Sequence, residues 1–183
     1  CGNADDAMAM EEKILEQTDE FRLGVDGIMG GYLLLTGDKG LSVLEEKKLK
    51  NTKAPFSETY AAMQALRFMW QYGDGRISAD RLRESMRILL DRPELADLVI
   101  ADLSRMKDWS VQDKLMKLYD EEANIPSVKR AIVRYMLSST KDTGEKKTDN
   151  TADAATGARP PKDNTPPAQT PSPTLQGPAA QPF

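Results

Sequence analysis

The sequence predicts an all-α fold: a right-handed stack of antiparallel helix pairs, an α-solenoid, over residues 1–139, followed by a disordered tail over residues 140–183. Three observations predict it. Apolar residues recur at helical spacing in short stretches, each too narrow to make a core alone. The starts of these stretches fall into two interleaved series, near residues 25, 58, 94 and 127 and near residues 4, 38, 78 and 110, a period of about 32 to 40 residues. After Ser139 the composition changes to Lys, Asp, Thr, Ala, Gln and Pro, and eight of the eleven prolines lie beyond residue 159.

Taken in order, Asn3 to Asp6 form the turn before a helix from about Ala4 to Gln17, with Met8, Ile14 and Leu15 on its apolar side. Gly24, Gly27, Gly30 and Gly31 follow. Their spacing does not fit a phosphate-binding loop, and no strand precedes them. A packing role is expected instead, with Gly27 and Gly31 one turn apart and open to a neighbouring helix. Gly37 or Gly40 ends that helix. Leu41, Leu44 and Leu49 continue, and Glu45-Glu46-Lys47-Lys48 reads as a solvated face. Pro55 opens a new pair, Ser57 is the expected N-cap, and Tyr60, Met63, Ala65, Leu66, Met69 and Trp70 form a stripe. Tyr72 to Gly75 make a turn, and Ser78 caps a helix carrying Leu82, Met86, Leu89 and Leu90.

The plan is plainest from Asp91 to Leu137. Pro93 suits a first helical turn, where its missing N–H is no loss. Leu95, Leu98, Val99, Ala101 and Leu103 then recur near helical spacing, with Leu98 expected between pairs. Lys107 and Asp108 mark a break. Ser110 is the expected N-cap of the next helix, with Asp113 three residues on, and Val111, Leu115, Met116, Leu118 and Tyr119 form its stripe. Asn124, Pro126 and Ser127 break the chain again before Val128, Ala131, Ile132, Tyr135 and Met136.

Composition narrows the chemistry. The net charge of −4 lies before residue 140, since the tail carries as many basic as acidic residues. Mild acidity disfavours nucleic-acid binding, which needs a dense basic stripe. No run of 18 apolar residues exists to span a membrane. With no histidine and one cysteine, neither the usual serine or cysteine triads nor a tetrahedral zinc site can be assembled, which leaves a lysine base or an acid pair as the open catalytic alternatives. Asp74-Gly75 imitates a calcium loop, but the aligned ligand positions would be Trp70, Tyr72 and Arg81, none of which ligates calcium. No cofactor, metal or catalytic residue is assigned. Asp97 with Asp102, and Glu121 with Glu122, are expected on solvated faces. The tail has no PxxP spacing and reads as a spacer.

The turn Asn124-Ile-Pro-Ser-Val128-Lys129-Arg130-Ala131 is similar to the turn of bacterial HEAT-like repeats: an acidic residue, two spacers, valine, a basic residue and a small one. Asp108-Trp-Ser-Val111 repeats it, with Gln112 in place of the basic residue. Residues 24–137 resemble that family. The Tyr32–Gly40 and Arg92–Tyr119 segments resemble HEAT-like proteins of planctomycete bacteria, from which no activity carries over. The resemblance implies a HEAT/armadillo-like, non-catalytic scaffold that holds another protein on a concave surface lined by second helices. Arg83 and Arg87, four residues apart, with Trp109 and Gln112, are the candidate partner-binding residues. Cys1 has two readings: a lipidated cysteine that would place the protein in the cell envelope or periplasm, or the edge of a fragment. The fragment reading is preferred, because no tether precedes the first helix. The alternative functions are an enzyme-associated subunit whose catalytic part lies upstream, or a helical domain tethered to a membrane through Cys1.

Overall fold

The computed structural model describes residues 2–16, 22–120 and 125–148. Cys1, the Glu121–Glu122 pair and the tail beyond residue 148, whose disorder is expected, lie outside the described residues. Among the described residues every element is helical and none is a strand: α1 (Ala4–Leu15), α2 (Val25–Thr36), α3 (Asp38–Leu44) running into a π-helical turn (Glu45–Leu49), α4 (Phe56–Tyr72), α5 (Ala79–Ile88), α6 (Ala96–Arg105), α7 (Gln112–Asp120) and α8 (Pro126–Thr148). The starts lie within two residues of the expected ones. α2 packs against α1, α3 and α4, α4 against α5, α5 against α6, and α8 against both α6 and α7. One apolar core runs through these contacts, from Met29 and Leu33 through Met63 and Met86 to Leu103, Leu115 and Tyr135.

Local chemistry explains the boundaries. The Asn3 side chain accepts from the Asp6 N–H and the Asp6 carboxylate accepts from the Asn3 N–H, both at 2.9 Å, which closes a capping box on α1. Ser78 caps α5 as expected, accepting from the Arg81 N–H. Ser57 and Ser110 do not cap. Pro55 precedes α4 with no side-chain cap, and the Asp108 carboxylate accepts from the Ser110 N–H at a short 3-10 turn, Trp109–Val111. Gly37 sits at φ 63°, where a side chain would be strained, and joins α2 directly to α3. Pro93 lies in the turn before α6 rather than in its first helical turn. α8 passes through Ser139 without a break, so the domain edge expected there falls inside a helix, and Ser139 is buried.

Several side chains face otherwise than the stripes predict. On α1, Ile14 is buried while Met8 and Leu15 are exposed. A Cβ at Gly30 would lie 3.1 Å from the Phe68 ring, and one at Gly31 would lie 3.3 Å from Met10, whereas Gly27 faces open space. Close approach to α2 therefore rests on Gly30 and Gly31. On α6, Leu95, Val99 and Leu103 are fully buried and Leu98 is 37% exposed, so the core register runs through Leu95. Asp102 lies within that buried stripe and is not solvated. The Glu45–Lys48 run is not a solvated face either. The wider π turn, closed by the Lys50 N–H on the Glu45 carbonyl at 2.8 Å, leaves Glu46 and Lys47 outside and buries Glu45 and Lys48.

Each buried carboxylate meets a cation from another element. Glu58 takes Arg22 Nη2 and Lys48 Nζ, each at 2.7 Å. Arg81 pairs with Glu45 through both oxygens, and Ser85 donates to the same carboxylate. Arg67 reaches Asp102 at 2.7 Å, and Arg87 grips Asp108 at 2.7 and 3.0 Å. Burial pushes the carboxyls of Glu45, Glu58 and Asp108 up, but these hydrogen bonds and charges outweigh it and hold all three below their ordinary values.

Two stability measurements follow from this packing. Leu95→Ala should cost about 2–5 kcal/mol in denaturant unfolding, and Leu98→Ala less than about 1 kcal/mol; the reverse order would put α6 in the wrong register. Glu58→Gln, which leaves Lys48 buried without its counter-charge, should cost about 3–5 kcal/mol at neutral pH. The folded Glu58 carboxyl lies below its ordinary 4.5, so its contribution is complete above that value and is lost as pH falls through the lower folded one. The gap between wild type and Glu58→Gln should therefore narrow in acid, and a gap that stays constant down to full protonation would remove the linkage.

Candidate functional site

The four residues singled out for partner binding do come together, around the turn between α6 and α7. Arg83 donates to the Met106 carbonyl through Nε and Nη2, at 3.0 and 2.7 Å, and lies 5.2 Å over the Trp70 ring. Arg87 holds Asp108 two residues further on. Between them Lys107 adopts φ 51°, a left-handed conformation strained for a side-chain-bearing residue. The buried Tyr135 hydroxyl donates to the Asp108 carbonyl, and burial with the Asp108 charge pushes that phenol up to about 12. Trp109 meets the Tyr135 ring edge-on at 5.1 Å and donates to Asp142 at 2.8 Å. Gln112 donates to Ser139 at 2.9 Å. All four therefore use their polar groups inside the molecule, where they fasten one turn to α5 and α8. Cys1, the remaining candidate, lies outside the described residues.

A different surface is left open, the seam between α6 and α8. It forms a concavity of about 510 Å³ between Leu98, Ala101 and Arg105 on one wall and Arg130, Ala131 and Arg134 on the other. The small side chains of Ala101 and Ala131 make the room, and Leu98 offers the apolar contact. Arg130 and Arg134 are exposed, one helical turn apart, and among the described residues neither guanidinium has a hydrogen-bond or ion-pair partner, the Arg134 carbonyl accepting from the Ser138 hydroxyl. Arg105 gives one nitrogen to Asp102 at 3.0 Å and leaves 73% of its side chain exposed. Asp97 is the acidic residue on the seam, and its carboxylate accepts from the neighbouring Leu98 N–H. Beyond the α8 ridge a smaller hollow, about 270 Å³, is lined by Tyr119, Lys129 and Val133 together with the same Arg130 and Arg134.

This arrangement can pair with anionic groups. Guanidinium forks match carboxylates bidentately and stay charged at any pH the fold would meet. Among the described residues there is no group of three or more His, Cys, Asp or Glu side chains placed to hold a metal ion. Sequence reasoning passed over Arg130 and Arg134, although their spacing equals that of Arg83 and Arg87. A four-residue spacing puts two arginines on one face but does not say whether an acid waits opposite. Phe56 and Phe68 on α4 are also exposed and outside the expected stripe; Phe56 stacks on Tyr60 at 5.8 Å and Phe68 meets Tyr72 at 5.6 Å. Their four-residue spacing was the available signal.

Asp142 makes the start of the presumed spacer part of the fold. A chain ending at Thr140 loses Asp142, which accepts from Lys107 and Trp109, and should be about 1–3 kcal/mol less stable than a chain ending at Thr148. Equal thermal midpoints for the two truncations would show that the contact contributes nothing.

No family model, curated protein or solved structure matches the chain.

Proposed function

We propose that the chain is a non-catalytic interaction scaffold: a right-handed solenoid of HEAT-like antiparallel helix pairs that holds another protein on its exposed helix faces. One observation carries this reading. Four of the ion pairs that tie element to element share nearly one spacing: Arg22 with Glu58 and Glu45 with Arg81 are 36 residues apart, and Arg67 with Asp102 and Lys107 with Asp142 are 35 apart, while Arg87 with Asp108, Lys114 with Asp91 and Lys48 with Glu58 span 21, 23 and 10. A shared spacing of this kind is in line with a stack of similar units, although the four pairs begin at different places within the units. The period agrees with that of the helix starts, and the turn at Asn124–Ala131 adds the family's local pattern. On this reading α2, α4, α6 and α8 are the first helices of successive pairs. The binding surface lies on them rather than on the second helices, whose arginines are engaged internally.

The test is selection of displayed random peptides against the full chain, followed by hydrogen exchange with an enriched peptide bound. A scaffold should return a related set of peptides, protect amides on at least two neighbouring pairs and release the peptide chemically unchanged. Recovery of a cleaved or modified peptide would sink the non-catalytic reading, and the absence of any enriched set would sink the scaffold.

A further inference from the structure

We propose that the α6–α8 seam is a docking site for a short acidic segment of a partner protein that also carries an aliphatic side chain. The inference rests on the scaffold reading and deepens it by naming the partner's chemistry. It comes from how the chain distributes its arginines. Arg22, Arg67, Arg81 and Arg87 each answer a buried acid, and Arg76, Arg83 and Arg92 donate to backbone carbonyls of other elements. Arg130 and Arg134 do neither. In a chain of net charge −4 they stand on one seam with Arg105, beside an exposed leucine in a hollow. An unpaired guanidinium at the edge of an apolar hollow has weak reason to be there for stability, since solvent already satisfies it. It does have the geometry to take a carboxylate from a ligand.

The hollow fixes the rest of the ligand. Leu98, Ala101 and Ala131 give an apolar base that an aliphatic side chain can cover, with gain from the leucine surface removed from water. Arg130 and Arg134, one turn apart, can each pair with a carboxylate of that segment, and the free nitrogens of Arg105 can meet a third. A nucleic acid fits less well. Three cations do not make the dense basic track that a phosphate backbone needs, and Asp97 on the same seam repels a uniform polyanion. A peptide can place a neutral residue there.

The experiment is fluorescence anisotropy on the full chain at low and physiological salt. The probes are a fluorescein-labelled peptide alternating glutamate pairs with leucine, its twin with glutamine for glutamate, and a labelled oligothymidylate. The acidic peptide should bind, more weakly at the higher salt. The glutamine twin and the double variant Arg130→Glu/Arg134→Glu should each weaken binding by about tenfold or more. Leu98→Ala should weaken it by several-fold. The charge-matched control Lys39→Glu/Lys53→Glu, at two exposed lysines off the seam, should leave it unchanged. Binding that ignores the arginine pair, or falls equally in the control, would overturn the proposal, as would failure of the acidic peptide to bind. Tighter binding of the oligothymidylate, lost in the arginine variant, would overturn it in favour of nucleic acid. The scaffold reading would survive such a failure if the displayed peptides mapped to other helices.

Discussion

Among the described residues, four carboxylates lie inside an apolar helical core, and everything around them is arranged so that a cation arrives from elsewhere in the chain. Glu45, Glu58, Asp102 and Asp108 keep at most 9% of their side-chain surface in water. An ionised carboxylate left alone in such a place would cost several kcal/mol. Paired with a guanidinium or ammonium at contact distance, it roughly breaks even against an apolar residue of similar size. The pairs are therefore not the main source of stability, which comes from the Leu, Met and Ile surface they interrupt. They are selective instead. An apolar stripe built of leucine and methionine tolerates a shift by a helical turn with modest loss, because such side chains repack. A shift of one turn strands a buried charge, and that is not tolerated.

The same constraint sorts the surface. Once the buried acids have taken their arginines, and three more arginines have tied off backbone carbonyls of other elements, few of the arginines among the described residues keep a guanidinium without a partner. Among the described residues, the α6–α8 seam is one place where arginines without a side-chain partner stand beside exposed apolar surface. The turn around Met106–Gln112 shows the opposite case. Arg83, Arg87, Trp109 and Gln112 have the residue types of a binding site, yet their partners are the turn itself and α8. A conformation held at a positive φ on Lys107 needs that fastening.

Where the chain turns was legible, because turn chemistry is local. Gly37 at a left-handed position, Asp74 and Gly75 in a tight turn, the Ser78 cap and Pro126 at the first position of α8 all act on residues within four of themselves. The all-helical class and the helix starts followed from these and from the apolar period. What periodicity left undecided was rotation of a helix about its axis. Leu95 and Leu98 are both compatible with the α6 stripe, and the choice between them belongs to the neighbours that pack on α6. Gly27 and Gly30 differ only in that Phe68 stands over Gly30. The run Glu45 to Lys48 looks uniformly polar, and a single widened turn divides it into an inner and an outer half.

By itself, then, the amino-acid sequence determined that this chain is a succession of short amphipathic helices, where each begins, and that its own 183 residues hold no histidine and a single cysteine, too few for a histidine triad or a tetrahedral thiol–zinc site. Those properties depend on residue type and on contacts within a turn or two. Tertiary structure alone decided which charges are buried and which arginines remain free. An ion pair across 35 or 36 residues exists only when two elements dock, and the desolvation that gives it meaning is a property of the assembled core.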